Sequence, residues 1–230
     1  MLHCGFNFLL YVVAILCMSL LCAESFHMNK CVETDLQALF KFKNALILGR
    51  NDLTSWKGEE CCKWEGISCD NLTGHVTGLN LEPLNYTKGL RGKLDSSICE
   101  LQHLIFRELS YNHLEGKIPH CMGSLGQLKE LKLSGNKLVS AIPPSLGNLS
   151  NLQTLKLAYN YDMISNDLQW TSHLSNLRYL DLSYVNLTLI VDWLSSISKI
   201  HSLSELHLFG CGLHQVTPKS IPHLNTSIFF

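Results

Sequence analysis

Three asparagines at intervals of 24 residues, Asn112, Asn136 and Asn160, constrain this chain more than any other feature, because each sits in the same frame of leucines. The frame reads Leu104-x-x-Arg107-x-Leu109-x-x-Asn112-x-Leu114, then Leu128-x-x-Leu131-x-Leu133-x-x-Asn136-x-Leu138, then Leu152-x-x-Leu155-x-Leu157-x-x-Asn160. Leu-x-Leu has the two-residue period of a strand, which turns both leucines inward and the residues between them outward. The asparagine three residues later can bond backbone groups where the chain turns, and stacked repeats join those bonds into a ladder. An amphipathic helical repeat does not fit, since the period is two and recurs beside Ser/Gly-Asn turns. The pattern predicts a curved solenoid whose repeats pack only on their neighbours.

The spacing is that of a leucine-rich repeat, and the fold class it implies is an α/β solenoid, a horseshoe with a parallel β-sheet on its concave face. Two later units keep the leucines and change the asparagine. Leu177-x-x-Leu180-x-Leu182 leads to Val185, and Leu203-x-x-Leu206-x-Leu208 leads to Cys211. Valine cannot hydrogen-bond a turn and cysteine does so only weakly, so these repeats are imperfect. An earlier unit starts at Val76 and Leu79-x-Leu81, passes an insertion from Pro83 to Thr87, and regains register at Leu90 and Leu94. Residues 74–230 thus hold about six repeats. Gly116-x-Ile118-Pro119 and Ser140-x-Ile142-Pro143 fill the outer arc, where proline favours turns or 3₁₀ segments over regular helix. Met163, Ile164 and Asn166 replace that pattern in the fourth unit, and spacings then stretch to 25 and 26, which predicts a local change of curvature.

Composition agrees with a packed repeat array. Of 230 residues, 44 are leucine, while Lys+Arg number 18 against Asp+Glu 19 and only 16% are charged. That balance excludes a disordered chain and a nucleic-acid binder working through a basic face.

The N-terminus reads as a signal peptide over residues 1–23. Phe8 to Ala23 is apolar apart from Ser19, shorter than the roughly 20 residues of a bilayer span. It ends in Leu21-Cys22-Ala23, suited to signal peptidase; an uncleaved anchor is the alternative. Secretion favours disulfides for the seven remaining cysteines, an odd number, so at least one of Cys31, Cys61, Cys62, Cys69, Cys99, Cys121 and Cys211 stays unpaired or pairs with another chain. Sequons at Asn71, Asn85, Asn148, Asn186 and Asn225 support a glycosylated extracellular protein, held at the plasma membrane if a longer form exists.

Residues 24–73 form a separate cap. Thr34 and Gln37 read as a capping box opening a helix to about Leu48, with Gly49 as its stop. Beyond it stand Trp56, Cys61-Cys62, Trp64 and Cys69. Adjacent cysteines point apart, so they most simply take different partners, and Cys-Cys-x6-Cys without clustered histidine lacks the spacing of a zinc site.

These residues resemble the plant extracellular leucine-rich-repeat proteins, namely the receptor-like proteins and kinases and the polygalacturonase inhibitors. Cys31-Val-Glu-Thr-Asp-Leu-Gln-Ala-Leu-Phe-Lys-Phe-Lys, with Leu53-Thr-Ser-Trp56 and Cys62-x-Trp64-x-Gly66-Ile67-x-Cys69, is similar to the family's N-terminal cap. By that resemblance Cys31 pairs with Cys61 and Cys62 with Cys69. Leu180-Asp-Leu-Ser-Tyr-Val-Asn-Leu followed by Asp192-Trp193-Leu194 is closer to the receptor-like proteins than to the inhibitors. Two departures stand out. Arg107 occupies an inward leucine position, where a buried unpaired guanidinium is costly, so that strand is expected to shift or Arg107 to escape at an edge. The chain also ends as a seventh repeat would begin, which reads as a solenoid truncated at its C-terminus.

Solenoids bind on the concave face, so the outward strand positions are the candidates. One column reads Glu108, Lys132, Lys156, Asp181, His207, flanked by Tyr111, Tyr159, Tyr184 and Phe209. Aromatics beside mixed charge suit protein or peptide recognition. No phosphate loop, nucleophile elbow or paired-carboxylate motif supports catalysis, and no cofactor or metal is implied. The expected function is recognition of an extracellular protein or peptide by a plant receptor-like protein in defence or developmental signalling, with a membrane co-receptor kinase as a further partner. A secreted polygalacturonase-inhibitor-like protein and a non-functional truncated receptor copy are the alternatives.

Overall fold

A computed structural model describes residues 30–49, 52–213 and 227–229. The signal segment and Asn225 lie outside the described residues. In chain order the strands are β1 (Leu46–Ile47), β2 (Ile67–Cys69), β3 (Val76–Asn80), β4 (Arg91–Lys93), β5 (Phe106–Glu108), β6 (His113–Gly116), β7 (Glu130–Lys132), β8 (Lys137–Ala141), β9 (Thr154–Lys156), β10 (Asp162–Ile164), β11 (Tyr179–Asp181), β12 (Glu205–His207) and β13 (Ser227–Phe229). Two sheets result. The concave sheet runs β2-β3-β5-β7-β9-β11-β12-β13, parallel except where β2 meets β3. A second sheet, β1-β4-β6-β8-β10, lies along the flank and is absent from the sequence expectation.

The concave strands β5, β7, β9, β11 and β12 bury their middle residue and leave the flanking two half-exposed, as the Leu-x-Leu alternation requires. Parallel strands need a crossover, and here it is the outer arc. That arc carries 3₁₀ segments at Ser96–Glu100, His120–Ser124, Pro144–Asn148 and Gln169–His173, of which only the second and third start at prolines, so the short crossover sets the tight turn even where proline is absent. In the fifth repeat a short helix, Trp193–Ser198, takes that place, with Trp193 and Ile197 buried on one face. Among the described residues the flank sheet also stops there: after β10 only a bridge between Ile164 and Asn186 continues it.

The asparagine ladder closes the turns. Asn136 Nδ2 donates to the carbonyls of Leu109 (2.9 Å), Leu133 (3.0 Å) and Ser134 (3.3 Å), and its Oδ1 accepts from Leu114 N at 3.0 Å. Asn112 and Asn160 repeat the arrangement one rung to each side. Cys211 partly stands in, its thiol donating to the Leu182 carbonyl at 3.0 Å. Burial pushes that thiol up to about 12, so it is an inert rung and not a reactive group.

Arg107 neither escapes nor shifts its strand. It is fully buried, in register between Leu79 and Leu131. Its Nη2 donates to the Ile98 carbonyl at 3.2 Å, Nη1 contacts Met122 Sδ, and Nε has no partner. Burial lowers its pKa to about 9, so it remains charged at neutral pH inside the core. The backbone register, set by leucines on both sides, outweighs the local cost of one guanidinium.

The cap differs from the capping-box expectation. Its helix α1 spans Glu33–Asn44 with Val32 at the N-cap and no side-chain cap bond; Thr34 lies within the first turn and Gln37 bonds Glu33 instead. The helix ends four residues before Leu48, because Leu46–Ile47 leave it to pair with β4 at the edge of the flank sheet. Disulfides join Cys31 to Cys61 and Cys62 to Cys69. Trp56 and Trp64 stack at 5.2 Å between them and the helix, each indole N–H bonded to a carbonyl. Buried Asp35 fastens the cap to the repeats by accepting Val76 N at 2.8 Å. A third disulfide, Cys99 to Cys121, ties successive 3₁₀ segments together and leaves Cys211 free.

Candidate recognition surface on the concave face

The strand registers align Glu108, Lys132, Lys156, Asp181 and His207 in one outward column. A second outward column, Phe106, Glu130, Thr154, Tyr179 and Glu205, stands beside it across the inward leucines. This second column follows from the same alternation, one residue before each inward position, and is not among the sequence candidates. The two columns interact. Lys132 Nζ pairs with Glu130 at 2.7 Å and Glu108 at 3.5 Å, Lys156 lies 4.5 Å over the Tyr179 ring, and His207 bonds Glu205 at 2.6 Å.

Tyr111, Tyr159 and Tyr184 occupy the residue just before the ladder position, where Gly135 and Gly210 complete the row. All five are left-handed, with φ of 57°, 56°, 64°, 65° and 67° respectively. This conformation costs an ordinary L-residue about 1–2 kcal/mol and glycine little, so three tyrosines are held where glycine is the easier choice. The glycines accommodate the preceding rings: a Cβ on Gly135 would stand 2.7 Å from Tyr111, and one on Gly210 2.8 Å from Tyr184. Phe209 falls one position earlier than the tyrosines, in the column of Ser110, Ser134, Ala158 and Ser183, and packs edge-on to Tyr184 at 5.3 Å. Tyr161, absent from the sequence candidates, joins Tyr159 and Tyr184 at 6.5 and 5.6 Å and is 68% exposed.

Between these columns lies a groove lined by Glu82, Glu108, Ser110, Tyr111, Lys132, Ser134, Lys156, Tyr159, Tyr179 and Asp181. Burial, with Asp181 and Glu205 nearby, pushes the Tyr179 hydroxyl up to about 12, so it stays protonated as a hydrogen-bond donor at physiological pH. The sequon asparagines Asn71, Asn85, Asn148 and Asn186 are all exposed and none is on a concave strand. Asn85 and Asn186 accept the hydroxyls of Thr87 and Thr188 at 3.0 and 2.7 Å. Among the described residues no helix is long and apolar enough to cross a membrane.

A family model for the leucine-rich-repeat N-terminal domain matches residues 32–70, and one for the leucine-rich repeat matches 127–149 and 176–197. The sequence is 36% identical over 212 residues to receptor-like protein EIX1 of Solanum lycopersicum, a match covering 86% of this chain and 20% of that protein. The chain carries the N-terminal cap and repeats of the leucine-rich-repeat family and is similar to plant receptor-like proteins along most of its length. It spans about a fifth of the length of that relative. This chain shares its fold with a chain of the PEPR1–AtPEP1 crystal structure, at TM-score 0.71 and 23% identity over 86% of this chain and 31% of that one. A chain of the BIR3–SERK2 complex from Arabidopsis thaliana matches at TM-score 0.61 and 27% identity, over 78% of this chain and 93% of that one.

Proposed function

We propose that this chain is the ligand-recognition module of an extracellular receptor-like protein, with a disulfide-bonded cap over 24–73 and repeats over 74–230, and that its ligand is a peptide or exposed protein segment. The observation that carries the reading is the tyrosine row: three bulky residues kept in left-handed backbone, Tyr111 and Tyr159 exposed beside a charged groove and Tyr184 half-buried next to them. Strain persists where the surroundings impose it and where it serves a purpose. Tyrosine supplies rigid amphipathic contact area at low entropic cost. Similarity to receptor-like proteins supports a role in signalling, and the fold shared with one chain of the BIR3–SERK2 complex supports a second protein as partner. Glycans on the four exposed sequon asparagines would leave the concave strands clear.

Selection of a random dodecapeptide library on the secreted protein tests this. Enriched peptides are expected to lose at least about tenfold in affinity with Tyr111→Ala or Tyr159→Ala, whereas Lys117→Glu, outside the groove, leaves binding unchanged. Peptides insensitive to both concave variants would overturn the reading.

A further inference from the structure

The concave groove carries a charge pattern that narrows the ligand, on the assumption that this face is the recognition surface. Its carboxylates outnumber its free cations. Glu82, Glu108 and Asp181 line it, Glu130 and Glu205 stand in the adjoining column, and both lysines are occupied, Lys132 by two carboxylates and Lys156 by the Tyr179 ring. Among the described residues the Glu82 and Asp181 carboxylates form no ion pair. A ligand anion would meet these two acids against a single ammonium free of carboxylates, Lys156, which already rests on the Tyr179 ring.

Three groups in the groove register the same field. Tyr111 is raised first by burial and then by Tyr159, Glu82, Asp181 and Glu108. Tyr179 is raised by burial, Asp181 and Glu205. Burial opposes the Lys132 ammonium, yet Glu130 and Glu108 outweigh it and its shift is upward.

An independent feature points to a bound donor. Ser134 lines the groove at 4% exposure, and its Oγ is buried with no hydrogen-bond partner. Such an atom costs free energy unless something supplies the missing bond. It precedes Gly135, where the aromatic rim has no side chain and the Tyr111 ring lies across the gap, with Tyr159 on the next repeat.

We propose that this groove binds an arginine side chain of the peptide ligand, its guanidinium against the Tyr111 and Tyr159 rings and donating to the Asp181 carboxylate and Ser134 Oγ. Arginine fits better than lysine because its planar fork stacks on aromatic faces, is weakly hydrated and offers five donors.

The test uses three acetylated, amidated hexapeptide probes, (Gly-Arg)3, (Gly-Lys)3 and (Gly-Glu)3, titrated calorimetrically into the secreted protein at low salt. (Gly-Arg)3 is expected to bind at least about tenfold more tightly than (Gly-Glu)3 and about threefold more tightly than (Gly-Lys)3. Asp181→Asn, which keeps the bond accepted from Ser183 N, is expected to weaken (Gly-Arg)3 about tenfold with an unchanged thermal melt, and Ser134→Ala about three- to fivefold with a melt that is unchanged or raised. Glu59→Gln on the cap is expected to change nothing. Equal or tighter binding of (Gly-Glu)3, or affinities within twofold for both Asp181→Asn and Ser134→Ala, would overturn the proposal. Peptides selected on the concave face without arginine enrichment would sink this inference while leaving the recognition function intact.

Discussion

Asn136→Ala is expected to lower the unfolding free energy by about 3–4 kcal/mol, as the midpoint and slope of urea denaturation would report. The loss is concentrated on one atom. Leu114 N, in a fully buried residue, has Asn136 Oδ1 as its acceptor, so alanine strands an amide at a cost of about 1–3 kcal/mol. The carbonyls of Leu109 and Leu133 fare better, because each also accepts from a neighbouring rung, Asn112 and Asn160 respectively. Sharing carbonyls between rungs makes the ladder tolerant of weak members, which is consistent with repeats that carry Val185 and Cys211. Asn136→Asp is expected to be worse than alanine, since it keeps the acceptor, loses the donors and buries a charge. A loss below 1 kcal/mol for alanine would show that the ladder is incidental.

Replacing Arg107 is expected to act in the opposite direction. Arg107→Met should raise stability by about 1–3 kcal/mol, because an unbranched apolar chain of similar length fills the space between Leu79 and Leu131 without the desolvation of a charge. The Ile98 carbonyl loses its donor, which offsets part of the gain. Arg107→Ala should instead destabilise by about 2–4 kcal/mol, since it leaves a cavity against Met122. The sign of the pH dependence follows from the lowered pKa. The folded state holds the proton less tightly than the unfolded chain, so the penalty is full below about pH 9 and fades as pH rises further. The advantage of Arg107→Met is therefore complete at neutral pH. A fall in stability for the methionine variant would mean that the guanidinium contributes more through its contacts than it costs.

How much of this was legible in the sequence depended on whether one repeat or two had to be considered. Leu-x-Leu and the asparagine three residues on are properties of a single repeat, so the concave strands, their outward column and the ladder follow from spacing. The fate of Arg107 depends on Ile98 and Met122, which belong to different outer-arc segments and meet only once the repeats stack. The Cys99–Cys121 bond is of the same kind, joining the arcs of successive repeats. Thr34 and Gln37 have capping-box spacing, yet the turn is set by the Cys31 disulfide and Asp35, which place Val32 at the helix start. The flank sheet has no signature within one repeat because His113–Gly116 and Lys137–Ala141 become strands only by pairing with their counterparts. In the site, the tyrosine row was visible as residues but not as left-handed backbone, and Ser134 gave no signal at all. An orphaned hydroxyl is defined by what fails to reach it.

The central claim is that recognition occurs on the concave face, and amide hydrogen exchange with a library-selected peptide measures it most directly. Binding is predicted to protect Glu130–Lys132, Thr154–Lys156 and Tyr179–Asp181 together with the Tyr111, Tyr159 and Tyr184 turns. Protection confined to the outer-arc segments Ser96–Glu100, His120–Ser124 and Pro144–Asn148, with the concave turns unchanged, would contradict it.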